Sequence, residues 1–174
     1  AIANYQEMHD EALARDDEAM ELAANSMIAL LYSTATPKFD PPLGRRLSEE
    51  TVVMARRIGD RAAEARALWN IVVANVYGGG DAGRAVEAGE ESIAIARELG
   101  EREQVAFTLN DLCRAYMAKG DFETAAQRLA EARQLWEELD NRPMLGENLP
   151  VGSSMHVFRG DFAAALADAH RAAE

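Results

Sequence analysis

The stretch GDFETAAQRLAEA, residues 120–132, has a counterpart 40 residues to either side, opening at Gly80-Asp81 and at Gly160-Asp161. Five residues after each of these glycines stands an alanine, Ala85, Ala125 or Ala165, and twelve after it another small residue, Ser92, Ala132 or Ala172. Eleven before each Gly comes a bulky or apolar side chain, Trp69, Leu109 or Leu149, and four before it Val76, Tyr116 or His156. A fixed period of this length is the signature of a repeat architecture. A second set of turn formers lies between the Gly-Asp pairs: Ile58-Gly59-Asp60-Arg61, Leu99-Gly100-Glu101-Arg102 and Leu139-Asp140-Asn141-Arg142, spaced 41 and 40 apart. Two turns per period imply two segments per repeat.

Those segments read as helices. Ala, Leu, Glu and Arg dominate them, and apolar residues recur at three and four, as in Leu68, Ile71, Val72 and Val76, or Ile93, Ala96 and Leu99. The spacing predicts helices over 61–77, 82–98, 102–118, 122–138, 144–158 and 161–174, with Gly in the left-handed conformation at the Gly-Asp turns and the Asp capping the next helix. Upstream, helices are expected over 5–14, 17–32 and 42–57, with Val52 and Ala55 matching Ile93 and Ala96. The connection Ser33–Pro41 is too long for a Gly-Asp turn, and Pro37 and Pro41 forbid a continuous helix, so it reads as an insertion. The expected fold class is therefore all-α, an α-α superhelix or solenoid of antiparallel helix pairs in a single array. Its units are 1–16, 17–60, 61–101, 102–142 and 143–174.

Composition agrees with that class and narrows the partners. The 174 residues are 48% hydrophobic and 28% charged, so disorder and disulfide scaffolds are unfavoured. Lys+Arg 18 against Asp+Glu 30 gives a net charge of −12, which argues against nucleic acid as a partner. Cys113 is the single cysteine, and the longest apolar run, Met27 to Tyr32, is too short to span a bilayer. No membrane partner and a soluble, cytoplasmic chain are expected. Both ends fall inside a repeat, which suggests part of a longer protein, or self-association through exposed end helices.

A first helix with a large residue early, a Gly-Asp turn and a second helix with two small positions resemble the tetratricopeptide repeat. The residues carrying the resemblance are Trp69, Val72, Val76, Gly80, Asp81, Ala85 and Ser92, then Leu109, Leu112, Tyr116, Gly120, Asp121, Ala125 and Ala132. The period exceeds the ~34 residues of the common repeat and is similar to the longer variant of large bacterial regulators, cyclases and signalling ATPases. In the fourth unit Gly152, Ser153 and His156 replace apolar packing residues, which predicts a weakened first helix there. The small positions have a physical rationale: a bulkier side chain at Ala85, Ala125 or Ala165 would overpack a close helix seam.

Motifs for catalysis are absent on this reading. Gly78-Gly79-Gly80-Asp81-Ala82-Gly83 satisfies G-x-G-x-x-G, but a dinucleotide site needs a preceding strand, and here a helix precedes it. Arg159-Gly160-Asp161 is one of the three repeat turns. His9, His156 and His170 show no metal-ligand spacing, and Cys113 reads as a buried inert thiol. No cofactor, no metal and no enzymatic activity are expected. The basic stretch 41–70, with Arg45, Arg46, Arg56, Arg57, Arg61 and Arg66, reads as helix-end and surface charge more readily than as a docking patch.

The resemblance implies that the first helices of the pairs line a concave groove for extended peptides. By register, the candidate groove residues are Asn70, Ala74, Tyr77, Phe107, Asn110, Arg114, Met117, Glu147 and Ser154. Asn70 and Asn110 align at a spacing of 40 and Arg114 follows by one turn, a possible ladder toward a peptide backbone or carboxylate. With only Lys38 and Lys119 in the chain, and neither on this face, the family's clamp for carboxylate tails is not expected. The expected function is a non-enzymatic protein- or peptide-binding scaffold, the interaction or sensing segment of a larger bacterial regulatory or signalling protein. The alternative is a sensor of a small-molecule effector.

Overall fold

The computed structural model describes residues 2–34 and 36–172. Among them are nine α-helices and no strand: α1 (Ile2–Arg15), α2 (Glu18–Ser33), α3 (Pro41–Ile58), α4 (Arg61–Tyr77), α5 (Ala82–Leu99), α6 (Arg102–Ala118), α7 (Phe122–Glu138), α8 (Arg142–Phe158) and α9 (Phe162–Ala172). Each helix packs on the next in the chain, and α4 also touches both α2 and α6. The result is an α-α solenoid. The expected last helix stops, as far as it is described, at Ala172, since Ala173 and Glu174 lie outside the described residues.

Capping explains where the helices begin. The side chains of Asp17, Asp40, Asp60, Asp81, Asp121 and Asn141 each accept a hydrogen bond from a backbone N–H in the following first turn. Packing explains why they stay. Ala85 and Ala125 are fully buried and Ala165 is nearly so, as are Ser92 and Ala132, whereas Ala172 is exposed. The main core gathers Leu68, Ile71, Ile93, Leu109, Leu112 and Trp136 from α4 to α7.

One turn departs from the expected register. The second helices α5, α7 and α9 start at 82, 122 and 162, a strict 40, but the first helices α4, α6 and α8 start at 61, 102 and 142. The turn between α4 and α5 thus holds one residue more than its counterparts. Its left-handed residue is Gly79, at φ 63°, not Gly80, while the later turns use Gly120 and Gly160 at φ 79° and 75°. Consequently Leu68, not Trp69, matches Leu109 and Leu149, all of them buried. Asn70 matches Asp111, so Asn70 and Asn110 are not equivalent and the expected ladder is out of step.

The extra glycine accompanies the Ser33–Pro41 insertion. Thr36 Oγ1 donates to the Leu31 carbonyl at 2.8 Å and Asp40 N–H to that of Tyr32 at 2.9 Å, folding the described part of the connection back on α2. This delivers Pro41 against Gly78, where a Cβ would strike the proline ring, and Arg45 against Gly80, where Nη1 donates to the Ala74 carbonyl at 3.2 Å. The glycine run is a landing place for the N-terminus of α3.

The first helix of the fourth unit forms at full length: α8 runs the same 17 residues as α4 and α6, with Pro150 inside it. Gly152 sits where Arg133 of α7 crosses to Asp168 of α9, making paired bonds of 2.9 and 2.8 Å. A Cβ there would collide with both side chains. Arg133 also donates from Nε to Asn148 Oδ1 at 3.0 Å. The glycine opens room for a largely buried ion pair.

Most arginines of the basic stretch are engaged within the chain. Arg56 and Arg61 both grip the buried Glu64 carboxylate at 2.6 Å, Arg57 meets Glu18 at 2.7 Å and Arg46 meets Glu50 at 3.8 Å. The hydrogen bonds to the Glu64 carboxylate raise the pKa of Arg56 and Arg61. No helix among the described residues is long and apolar enough to cross a membrane.

Candidate functional site

Four first helices of the pairs, α2, α4, α6 and α8, contribute to one cavity of about 500 Å³. Thr34 comes from the end of α2, Trp69, Val73 and Tyr77 from α4, Phe107, Asn110 and Asp111 from α6, and Met144 and Glu147 from α8. Of the residues expected there, Tyr77, Phe107, Asn110 and Glu147 line it. Tyr77 is half exposed and Glu147 exposed, so the cavity opens to solvent past them.

The other expected residues are placed differently. Asn70 is 3% exposed and its Nδ2 donates to the Ser26 carbonyl at 3.2 Å, tying α4 to α2. Ala74 is fully buried. Asn110, though it borders the cavity, is 5% exposed and its Oδ1 accepts from Asn148 Nδ2 at 3.0 Å. Each amide thus bonds a neighbouring helix through one of its two ends, Asn70 through Nδ2 and Asn110 through Oδ1, and the two do not form a ladder on an open helix face. Met117 packs on the second core cluster with Cys113, Ala125, Leu129 and Met155. The Ser154 hydroxyl donates to the Pro150 carbonyl at 2.9 Å within its own helix. Arg114 lies with its guanidinium 5.6 Å from the Tyr77 ring centroid, and its buried Nε has no partner among the described residues.

Asp111 is the principal feature of the site that reading the sequence passed over. It is 8% exposed; its Oδ2 accepts from Trp69 Nε1 at 2.8 Å and its Oδ1 from the Tyr77 hydroxyl at 2.9 Å. The two donors thus clamp α6 to α4 and orient two aromatic rings around the cavity. Burial holds the Asp111 carboxyl above its ordinary range; the Trp69 and Tyr77 hydrogen bonds and the Arg114 charge oppose this, and Glu147 pushes it up again. Burial also raises the Tyr77 phenol, with the Asp111 charge adding to it. A sequence signal was available: an acid standing within the apolar stripe of Leu109 and Leu112, on a helix whose other acid, Glu103, lies in its first turn.

Aromatic packing fixes the inner wall. The Phe107 ring sits 5.6 Å from that of Trp69 and 4.9 Å, edge-on, from that of the fully buried Trp136. Cys113 is fully buried in the cluster of Ala125, Leu129, Val151 and Met155, where burial pushes its thiol up to about 12, well away from the thiolate range of a nucleophile. Among the described residues no group of three or more His, Cys, Asp or Glu side chains converges as metal ligands would.

No family model matches the chain, and no curated protein does. Among solved structures it is similar to the crystal structure of BtubC (BKLC) from P. vanneervenii, with a TM-score of 0.80 over 98% of this chain and 70% of that one, at 21% identity. At that identity the likeness is one of fold: the two chains share the course of their helices.

Proposed function

We propose that the chain is a tetratricopeptide-like, non-enzymatic binding module that accepts an extended peptide or protein segment on the side formed by α2, α4, α6 and α8. The observation that carries this reading is the cavity of about 500 Å³ walled by Trp69, Tyr77 and Phe107, a size and lining suited to one or two large side chains. Its opening past Tyr77 and Glu147 favours a ligand that continues beyond the cavity over an enclosed small effector. The regulatory or signalling setting implied by the repeat type belongs to the same proposal.

Selection from a displayed library of random dodecapeptides tests the reading. Peptides should emerge that compete with one another for a single site and lose at least ~tenfold in affinity against Phe107→Ala, a loss on the order of a hot-spot truncation. Circular dichroism of the variant must stay unchanged. Selected peptides that bind Phe107→Ala as well as the parent would place the function elsewhere.

A further inference from the structure

We propose, resting on the groove reading above, that the cavity between Trp69, Phe107, Asp111 and Glu147 receives a basic side chain, arginine or lysine, of the bound segment. Ring faces and carboxylates together are the chemistry that holds an organic cation: the ring quadrupole attracts it, and the carboxylates supply hydrogen-bond acceptors and charge. Two carboxylates face this space, and no cation lies within ion-pair distance of either among the described residues. Asp111 is held only by the neutral donors of Trp69 and Tyr77, at 2.8 and 2.9 Å. Glu147, exposed at the mouth, has neither hydrogen bond nor ion pair there.

The nearby arginines do not fill the space. Arg114 rests on the Tyr77 ring, 5.6 Å from its centroid, and offsets part of the charge of Asp111 without bonding to it. Arg66 lines a separate depression with Ala62, Ala65, Glu101 and Glu103 and is absent from the lining of this one. The chain as a whole carries −12, so a basic segment is also attracted at long range.

Tryptophan emission gives a direct readout, because Trp136 is sealed in the core and Trp69 borders the cavity. The probes are a short acetylated, amidated peptide of alternating leucine and arginine, the same peptide with citrulline for arginine, and the same with glutamate. The arginine peptide should shift the Trp69 emission saturably. Its affinity should fall about tenfold with citrulline and about tenfold in Glu147→Gln, and weaken with added salt. Asp111→Asn, which keeps a carbonyl acceptor for one donor, should act in the same direction. Equal binding of the citrulline peptide, tighter binding of the glutamate peptide, or no binding of the arginine peptide would each overturn the cationic preference. The groove itself would still stand or fall on the selected library peptides and their dependence on Phe107.

Discussion

Ile93 and Arg133 occupy the same place in successive second helices, α5 and α7, yet they hold their seams by opposite means. Ile93 is 1% exposed and belongs to the continuous apolar core between α4 and α7. Arg133 reaches across Gly152 to Asp168 and joins α7, α8 and α9 through charge and hydrogen bonds. One helical geometry thus tolerates two chemistries at an equivalent point. The apolar seam gains from every methylene buried, whereas the ionic one depends on both partners being present, since a lone buried charge is costly.

The largest effect should come from the apolar side. Leu109→Ala, at a site with no exposure, should cost about 4 kcal/mol in urea unfolding. Asp168→Ala should cost about 3 kcal/mol by stranding Arg133, and combining it with Arg133→Ile should recover most of that loss. A double variant no more stable than the single one would erase the contrast between the seams. Gly152→Ala should cost about 2 kcal/mol, because its methyl group lands on the ion pair.

The pH dependence sharpens the same comparison at the cavity. The folded pKa of Asp111 lies above its ordinary 3.8, so the folded state binds a proton that the unfolded chain has released. Its contribution is therefore unfavourable at high pH and is relieved as pH falls through the folded value toward 3.8. Asp121, whose capping bond to Thr124 lowers its pKa, loses its stabilisation only below that range, as pH falls through its folded value. Asp111→Asn should flatten the stability profile above pH 3.8, measured by urea midpoints, and leave the acid limb in place. Smallest of all, Arg97→Ala removes an exposed pair with Glu131 and should change stability by less than about 0.5 kcal/mol.

How far these features were legible follows from their range in the chain. Helices and small seam positions depend on near neighbours and on the period, and Ala85, Ala125 and Ala165 are buried as expected. The extra turn residue was also within reach: the Gly-Asp pairs keep a spacing of 40, while Gly59 and Gly100 are 41 apart. Aligning the first helices by the Gly-Asp turns placed Asn70 opposite Asn110 and moved every residue of α4 by one, enough to exchange a groove position for a core one. The polar contacts were less accessible. Trp69 to Asp111, Tyr77 to Asp111 and Arg133 to Asp168 join residues more than thirty positions apart, on different helices, and no local pattern pairs them.

The meeting of Pro41 with Gly78, and of Arg45 with Gly80, bears on how this array can be cut and rejoined. A chimera that transplanted the pair α2–α3 onto an ordinary three-residue turn would bring the proline ring against a side chain with nowhere to go. The boundary for shuffling therefore lies after Gly80, not at Gly59: the long connector and the glycines that receive it must be moved as one part.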